Sequence, residues 1–314
     1  MKISMDELLS QLDCYNKDKD NDNDDKVEKN VNFLSFAHGD KYEAFLPLYT
    51  FFALQSNANS IVEMVVNNRD HFIASHHQVL SWLLLHGSTD TDSDTNHGSA
   101  LCVRNVKPST MKRTKTTNTW RYLEPSARHA KYTYVGDIDM FLYESVVESK
   151  RLTQMQHFNL PYSNVVRPNT TRLTGLMLMN TNDYYTNEML KAQQSMKDVT
   201  GNDEMILYQL VNASGLGLPP LDDSSKFSQY RPVHGLHLST NRGPYKSMCL
   251  PMVVNQWCNI LTMPRLQDFL CAGNTTQQND NYGSSSLLLL MDFVNMVTEQ
   301  MKGNMTNNKK KRCE

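Results

Sequence analysis

The sequence predicts a single α/β domain built on a mainly parallel central sheet with helices on both faces. Segments of strand and helix character alternate as β-α-β-α-β-α-β between residues 31 and 142, a pattern that argues for parallel strands joined by crossover helices. The last strand runs straight into two aspartates, at the sheet end where ligands bind in open α/β folds. With 314 residues, 39% of them hydrophobic, the chain can bury a core of that size.

In chain order, Val31 to Ala37 reads as a buried strand ending at His38-Gly39-Asp40, and Lys41 to Ser56 as an apolar helix with Pro47 in its first turns. Ile61 to Val66 is a second strand, followed by a helix around Ser75 to Leu85 and a strand near Leu101 to Val106. A helix from about Thr119 to His129 then leads into the aspartate strand, Lys131 to Leu142. The turn at Gly39 is where a nucleotide meets such a sheet, although neither GxGxxG nor a GxxxxGK[ST] loop is present. Downstream, Leu173 to Met179 reads as a strand holding one glycine, which marks either close approach of a ligand or a β-bulge. Asp203 and Glu204 open a helix, where acidic residues meet the positive end of the helix dipole.

Several function classes are disfavoured. A net charge of −2 gives no bulk reason to expect nucleic acid or a membrane as partner. No run approaches the roughly 18 apolar residues needed to span a bilayer, and the N-terminus lacks an apolar signal core. The six cysteines (Cys14, Cys102, Cys249, Cys258, Cys271 and Cys313) show no CxxC pair and read as reduced thiols in a cytoplasmic protein. The polar tracts 16–30 and 87–99 lack the Gly and Glu of a calcium loop and read as solvated insertions. Ser286 to Met301 has helical periodicity and is followed by the basic run Lys309 to Arg312; it packs back on the domain or makes weak peripheral membrane contact. The expected divisions are an N-terminal extension with a disordered acidic tract (1–30), the main domain (31–250), a packed helical extension (251–302) and a basic disordered tail (303–314).

Asp137 and Asp139 carry the chemistry. At i and i+2 of an extended segment two carboxylates project the same way, and a divalent cation (Mn²⁺ or Mg²⁺) held by such a pair takes its remaining shell from water and phosphate oxygens. The pair is a candidate donor-phosphate site, given weight by the apolar residues on both sides.

The blocks FLSFAHGDKY, WRYLEP, YTYVGDIDMFLYE, LPYSNVVR, RLTGLMLM, DEMILYQLV and RPVHGLHLSTNR, spread over residues 31 to 245, resemble in order and spacing the GT-A-fold glycosyltransferases. Within these, the likeness is to the small nucleotide-sugar glycosyltransferases encoded by large algal DNA viruses. The resemblance implies a GT-A-like sheet with a small antiparallel addition, and a host-cell cytoplasmic location if the chain is viral. It implies a nucleoside-diphosphate sugar as donor, UDP-linked by preference, and a saccharide as acceptor. Asp137 and Asp139 match the metal-binding DxD, and His237 or His234 completes the metal shell. Ala37, His38 and Gly39 meet the base, with Tyr42 as a stacking face or else a core tyrosine. Arg121 faces the diphosphate or the uracil edge, unless it is tied up by Glu124 three residues on. Thr174 and Gly175 floor the sugar pocket, and Asn164 and Arg167 reach sugar hydroxyls or phosphates. Asp203 matches the base of an inverting transfer, with Glu204 as alternate; without such a base the transfer is retaining. The other classes consistent with the residues are a sugar nucleotidyltransferase and a non-catalytic nucleotide-sugar-binding domain.

Overall fold

The computed structural model describes residues 3–15, 29–87, 100–114, 116–148, 150–167, 169–197, 201–220, 235–237, 263 and 265–274. Its strands are β1 (Val31–Phe36), β2 (Ser60–Val66), β3 (Leu101–Asn105), β4 (Tyr132–Val135), β5 (Met140–Leu142), β6 (Tyr162–Ser163), β7 (Met177–Asn180) and β8 (Gly235–His237). The helices are α1 (Met5–Gln11), α2 (Asp40–Glu43), α3 (Leu46–Ser56), α4 (Arg69–Ser75), α5 (His77–His86), α6 (Pro108–Arg113), α7 (Trp120–Leu123), α8 (Lys150–Phe158), α9 (Thr181–Tyr184), α10 (Asn187–Ser195), α11 (Asp203–Ser214) and α12 (Leu266–Asn274).

Six strands form one sheet in the order β3-β2-β1-β4-β7-β6, and β5 pairs with β8 in a second, two-stranded sheet. β1 is parallel to both β2 and β4, β2 is parallel to β3, and β7 runs antiparallel to β4 and β6. This is the mainly parallel sheet with a small antiparallel addition that the sequence predicts. The chain order reverses between β1 and β4, so the carboxyl ends of these two strands flank the crevice in which open α/β sheets bind ligands.

Both faces of the sheet are covered, as parallel strands require. Alternate residues enter two separate cores: Phe33, Met64, Val66, Val103 and Tyr134 face α1, α3, α4, α5 and α12, whereas Leu34, Val65, Val135 and Met179 face α7, α10 and α11. The aromatic packing of the first layer is close, with Phe51 stacked on Phe269 of α12 at 4.6 Å and Phe52 against Phe141 of β5 at 4.6 Å. Residues 3–15 belong to this layer. Leu8 and Leu12 are fully buried, Asp13 forms a parallel bridge to Val103, and the Val103 amide donates to the Leu12 carbonyl at 2.7 Å.

A buried polar network ties the sheet to the chain after α7. Glu63 accepts from Arg104 Nε at 2.6 Å, from Ser126 Oγ at 2.7 Å and from the amides of Ala127 and Arg128 at 3.0 and 3.1 Å, while Arg104 Nη1 donates to Glu124. Burial alone would raise the Glu63 pKa; Arg104 and the donated hydrogen bonds outweigh it and hold the carboxyl below its ordinary value.

Several expectations need correction. Cys14 and Cys102 are joined as a disulfide across a sequence separation of 88, not kept as thiols; Cys271 is a free, exposed thiol. The helix expected over Lys41 to Ser56 is broken by a turn at Ala44-Phe45, which lets Pro47 sit in the first turn of α3, where its missing amide costs no hydrogen bond. The helix expected over Thr119 to His129 is the single turn α7, because Glu124 turns away to Arg104 and Pro125 follows. The strand expected over Leu173 to Met179 begins at Met177, preceded by a bridge from Leu173 to Val166. The C-terminal helix expected over Ser286 to Met301 lies outside the described residues.

Candidate active site

The site grows from the end of β4. Gly136 and Asp137 follow the strand, residues 138–139 make a turn, and β5 begins at Met140. Gly136 leaves room for the Tyr134 ring, since a Cβ there would stand 2.7 Å from Tyr134 Cε1. Asp137 is one-third exposed, and its Oδ1 accepts from Arg121 Nη1 at 2.7 Å. The same Nη1 donates to the Gly136 carbonyl at 3.1 Å, and Nη2 donates to Asp203 Oδ2 at 2.9 Å. One buried guanidinium therefore bridges two carboxylates 66 positions apart in the chain (137 and 203). Burial would lower the Arg121 pKa, but the neighbouring Tyr122, Asp137 and Asp203 raise it well above its ordinary value, so the cation is permanent. The alternative partner, Glu124, belongs to Arg104 and does not engage Arg121.

Asp203 and Glu204 are presented by the first turn of α11, which Asn202 caps by accepting the Glu204 amide on its side chain at 2.9 Å. The cap fixes where the helix begins and hence where both carboxylates point. Glu204 pairs with Arg167. Its pKa is raised, first by burial, against the opposing pull of Arg167 and with the help of the Asp203 and Asp137 charges.

Gly175 lies against Arg121: a Cβ there would stand 2.9 Å from Nη2 and 3.3 Å from the Tyr122 hydroxyl. Thr174 and Asn164 are committed to each other. Asn164 Oδ1 accepts from the Thr174 amide at 2.9 Å and from its hydroxyl at 2.8 Å, and Asn164 Nδ2 donates to the Thr174 carbonyl at 3.1 Å. Asn164 thus shapes the floor of the site by holding the Thr174-Gly175 backbone.

At the β1 end, Ala37 is buried while His38 and Gly39 are exposed, and Gly39 has φ +79°, which favours glycine at the start of α2. The His38 ring meets the edge of Trp120, one residue before Arg121, with centroids 5.2 Å apart. Tyr42 is 50% exposed, so it is not a core tyrosine.

The small sheet brings a distant segment to the aspartates. β8 pairs antiparallel with β5 in the register Met140 to His237, Phe141 to Leu236 and Leu142 to Gly235. The His237 backbone is therefore opposite the residue that follows Asp139. His234 lies outside the described residues, as does the His237 side chain. Among the described residues no group of three His, Cys, Asp or Glu side chains could hold a metal ion. The donors that are described, two carboxylates beside a turn, suit a hard cation such as Mg²⁺ or Mn²⁺.

Of the residues that the sequence points to, the fold joins Asp137, Arg121 and Asp203 through one guanidinium, pairs Glu204 with Arg167, lays Gly175 against Arg121 and binds Thr174 to Asn164. Tyr122 and Arg172 were missed. Tyr122 reads as an ordinary apolar helix residue, and Arg172 acquires meaning only from the pairing of the loop that carries it.

No protein-family model matches the chain, and no curated protein does. Among solved structures it is similar to the galactosyltransferase LgtC in complex with donor and acceptor sugar analogs (TM-score 0.46, 13% identity, covering 82% of this chain and 99% of that one). It is also similar to the glycosyltransferase GlyE of Streptococcus pneumoniae TIGR4 (TM-score 0.40, 11% identity, 89% of this chain and 64% of that one). The apo form of GlyE gives a TM-score of 0.40 at 12% identity, covering 88% and 64%. The chain thus spans 64% of the length of GlyE. Among the described residues no helix is long and apolar enough to cross a membrane.

Proposed function

We propose that the protein is a metal-dependent glycosyltransferase that moves a hexose or deoxyhexose from a nucleoside-diphosphate sugar, by preference UDP-linked, to a saccharide acceptor. The observation that supports this reading best is the bridge from Asp137 through Arg121 to Asp203 at the carboxyl end of β4, beside the point where the strand order reverses. The narrower likeness to enzymes encoded by large algal DNA viruses rests on the sequence blocks alone.

In this reading Asp137 and Asp139, with His237 brought alongside by β8, hold Mn²⁺ or Mg²⁺, which when bound supplies charge stabilisation for the leaving diphosphate. Arg121, permanently charged and held on three sides, adds a preorganised cation at the same place. The base end of the nucleotide meets residues 37–39, with Tyr42 exposed as a stacking face. A carboxylate at the start of α11 takes the proton of the acceptor hydroxyl in an inverting transfer. Both are ion-paired, Asp203 with Arg121 and Glu204 with Arg167; Glu204 is favoured as the base because burial raises its pKa, which favours proton uptake.

The test is calorimetric titration of UDP and a panel of nucleotide sugars with Mn²⁺, then with EDTA, into wild-type and Asp139→Ala protein. Metal-dependent binding lost in the variant is expected. Unchanged donor affinity in Asp139→Ala rejects the metal assignment, and no nucleotide binding at all overturns the transferase reading.

A further inference from the structure

The loop between Val166 and Leu173 carries an arrangement that the proposed reaction does not use. Val166 and Leu173 form an antiparallel bridge and are both buried, at 3% and 0% exposure, within the core that faces α10 and α11. The Arg167 amide donates to the Arg172 carbonyl at 2.9 Å, so these two residues stand opposite each other as the next pair of the ladder. Side chains alternate along each arm and directly opposed residues share a face, so Arg167 and Arg172 both project away from the buried Val166 and Leu173. The loop is closed by the Thr170 hydroxyl, which donates to the Arg167 carbonyl at 2.9 Å, and is tied to α11 by the Leu173 amide, which donates to the Glu204 carbonyl at 3.2 Å.

Both guanidinium groups act on Glu204, Arg167 as a direct ion pair and Arg172 through its charge. Two like charges facing each other across a ladder cost stability, and one carboxylate offsets one of them. The Arg167 side chain is 42% exposed and Glu204 13%, so this guanidinium reaches outward from the carboxylate, and Arg172 is half-buried. Arg121 bridges Asp137 and Asp203, and the adjoining Glu204 pairs with Arg167. Arg167 thus pairs with Glu204, whereas Arg121 holds Asp137 and Asp203.

We propose that Arg167 and Arg172 form an anion-binding pair that takes the carboxylate of an acidic sugar, positioning that sugar against Glu204. The planar guanidinium fork matches a carboxylate with two parallel hydrogen bonds. Identification of the ligand as a sugar rests on the glycosyl-transfer reading; the anion-binding pair does not. The carboxylate belongs either to the donor sugar or to the acceptor.

The test uses the full chain, wild type and Arg172→Gln, with Arg172→Lys as the variant that keeps charge but loses the fork. Arg167 is left in place so that Glu204 keeps its partner. Free glucuronate and free glucose are titrated first, by ligand-observed NMR. Wild-type protein is expected to bind glucuronate at least tenfold more tightly than glucose, Arg172→Gln to lose that preference and Arg172→Lys to retain part of it, all with unchanged melting temperature. UDP-glucuronate is then compared with UDP-glucose in the presence of Mn²⁺. A tenfold preference here assigns the carboxylate to the donor, and equal affinities with glucuronate binding alongside UDP assign it to the acceptor. Equal binding of glucuronate and glucose by wild type overturns the proposal. So does an Arg172→Gln variant that loses UDP as much as it loses glucuronate, because the anion is then the diphosphate. Glucuronate preference without any binding of UDP upholds the arginine pair and sinks the transferase reading, so the two failures are told apart.

Discussion

Replacing Gly175 with alanine perturbs Arg121 without touching it. Gly175 does not have a positive φ, so alanine brings no backbone strain, and the whole effect comes from the added methyl. That methyl would lie 2.9 Å from Arg121 Nη2, whereas carbon contacts settle at about 3.5–4.0 Å. The guanidinium has to retreat by roughly half an ångström. Nη2 is the atom that donates to Asp203 at 2.9 Å, while Nη1 holds Asp137 at 2.7 Å and Gly136 at 3.1 Å. A retreat of that size breaks the Asp203 bond first, and a hydrogen bond between charged groups contributes about 1.5–3 kcal/mol. Urea unfolding of Gly175→Ala is expected to show a loss in that range with an unchanged denaturant slope, and titration of UDP with Mn²⁺ to show weakened binding. A double-mutant cycle isolates the cause: in an Arg121→Ala background, Gly175→Ala should cost less than about 0.5 kcal/mol more. An equal cost in both backgrounds would refute the argument, because the methyl would then be acting on something other than the guanidinium.

Three other outcomes are expected. Glu204→Gln should keep metal-dependent UDP binding and lose transfer by about 10²–10⁴-fold; normal turnover in Glu204→Gln together with an inactive Asp203→Asn variant moves the base to Asp203. Glu63→Ala, which leaves buried Arg104 with one of its two carboxylate partners, should cost about 3–5 kcal/mol in urea unfolding. Since the Glu63 pKa is lowered in the folded state, its stabilisation is fully present above its ordinary value of 4.5 and is lost as pH falls through the lower folded value, so acid unfolding of wild type should steepen there and that of a Glu63→Gln variant should not. Cys14→Ser should lower stability by about 4–5 kcal/mol by the loop-entropy relation for a closed loop of 88 residues, and dithiothreitol should do the same to wild type; identical melting with and without reductant would show that the bond does not form.

The central strands were legible because buried parallel strands leave mainly apolar runs, as in Val31 to Phe36 and Ser60 to Val66, interrupted by the buried Asn32, Ser35 and Glu63. The single strand expected over Lys131 to Leu142 is instead β4 and β5, because a turn at 138–139 follows Asp137 and takes both aspartates off the strands. The helix at Asp203 was legible because its cap is local: Asn202 and the two acidic residues adjoin in sequence. Failures came where a residue answered to a distant partner. Glu124 looked like an i+3 mate for Arg121, but Arg104 reaches it across the sheet. Thr174 and Gly175 looked like the middle of a strand, but Asn164 takes the hydrogen bonds a neighbouring strand would have had. The union of Cys14 with Cys102 depends on the bridge that lays Asp13 along Val103, which spacing between cysteines does not encode.

The pairing of β8 with β5 adds a later part of the chain to a site whose other described residues all come before it. All six strands of the large sheet are complete by Asn180, and the network around Arg121 is complete by Glu204, whereas the partner of Met140 is His237. That pairing spans 97 positions, about as many as the 101 between Val31 and its β4 partner Tyr132. A chain ending near residue 220 would keep the residues of the large sheet and of the carboxylate-guanidinium bridge, but would lose β8 and, with α12, the Leu266 and Phe269 side chains that pack on that sheet's first layer. In the proposed reading, metal binding at Asp137 and Asp139 would then report whether the chain that carries β8 is in place.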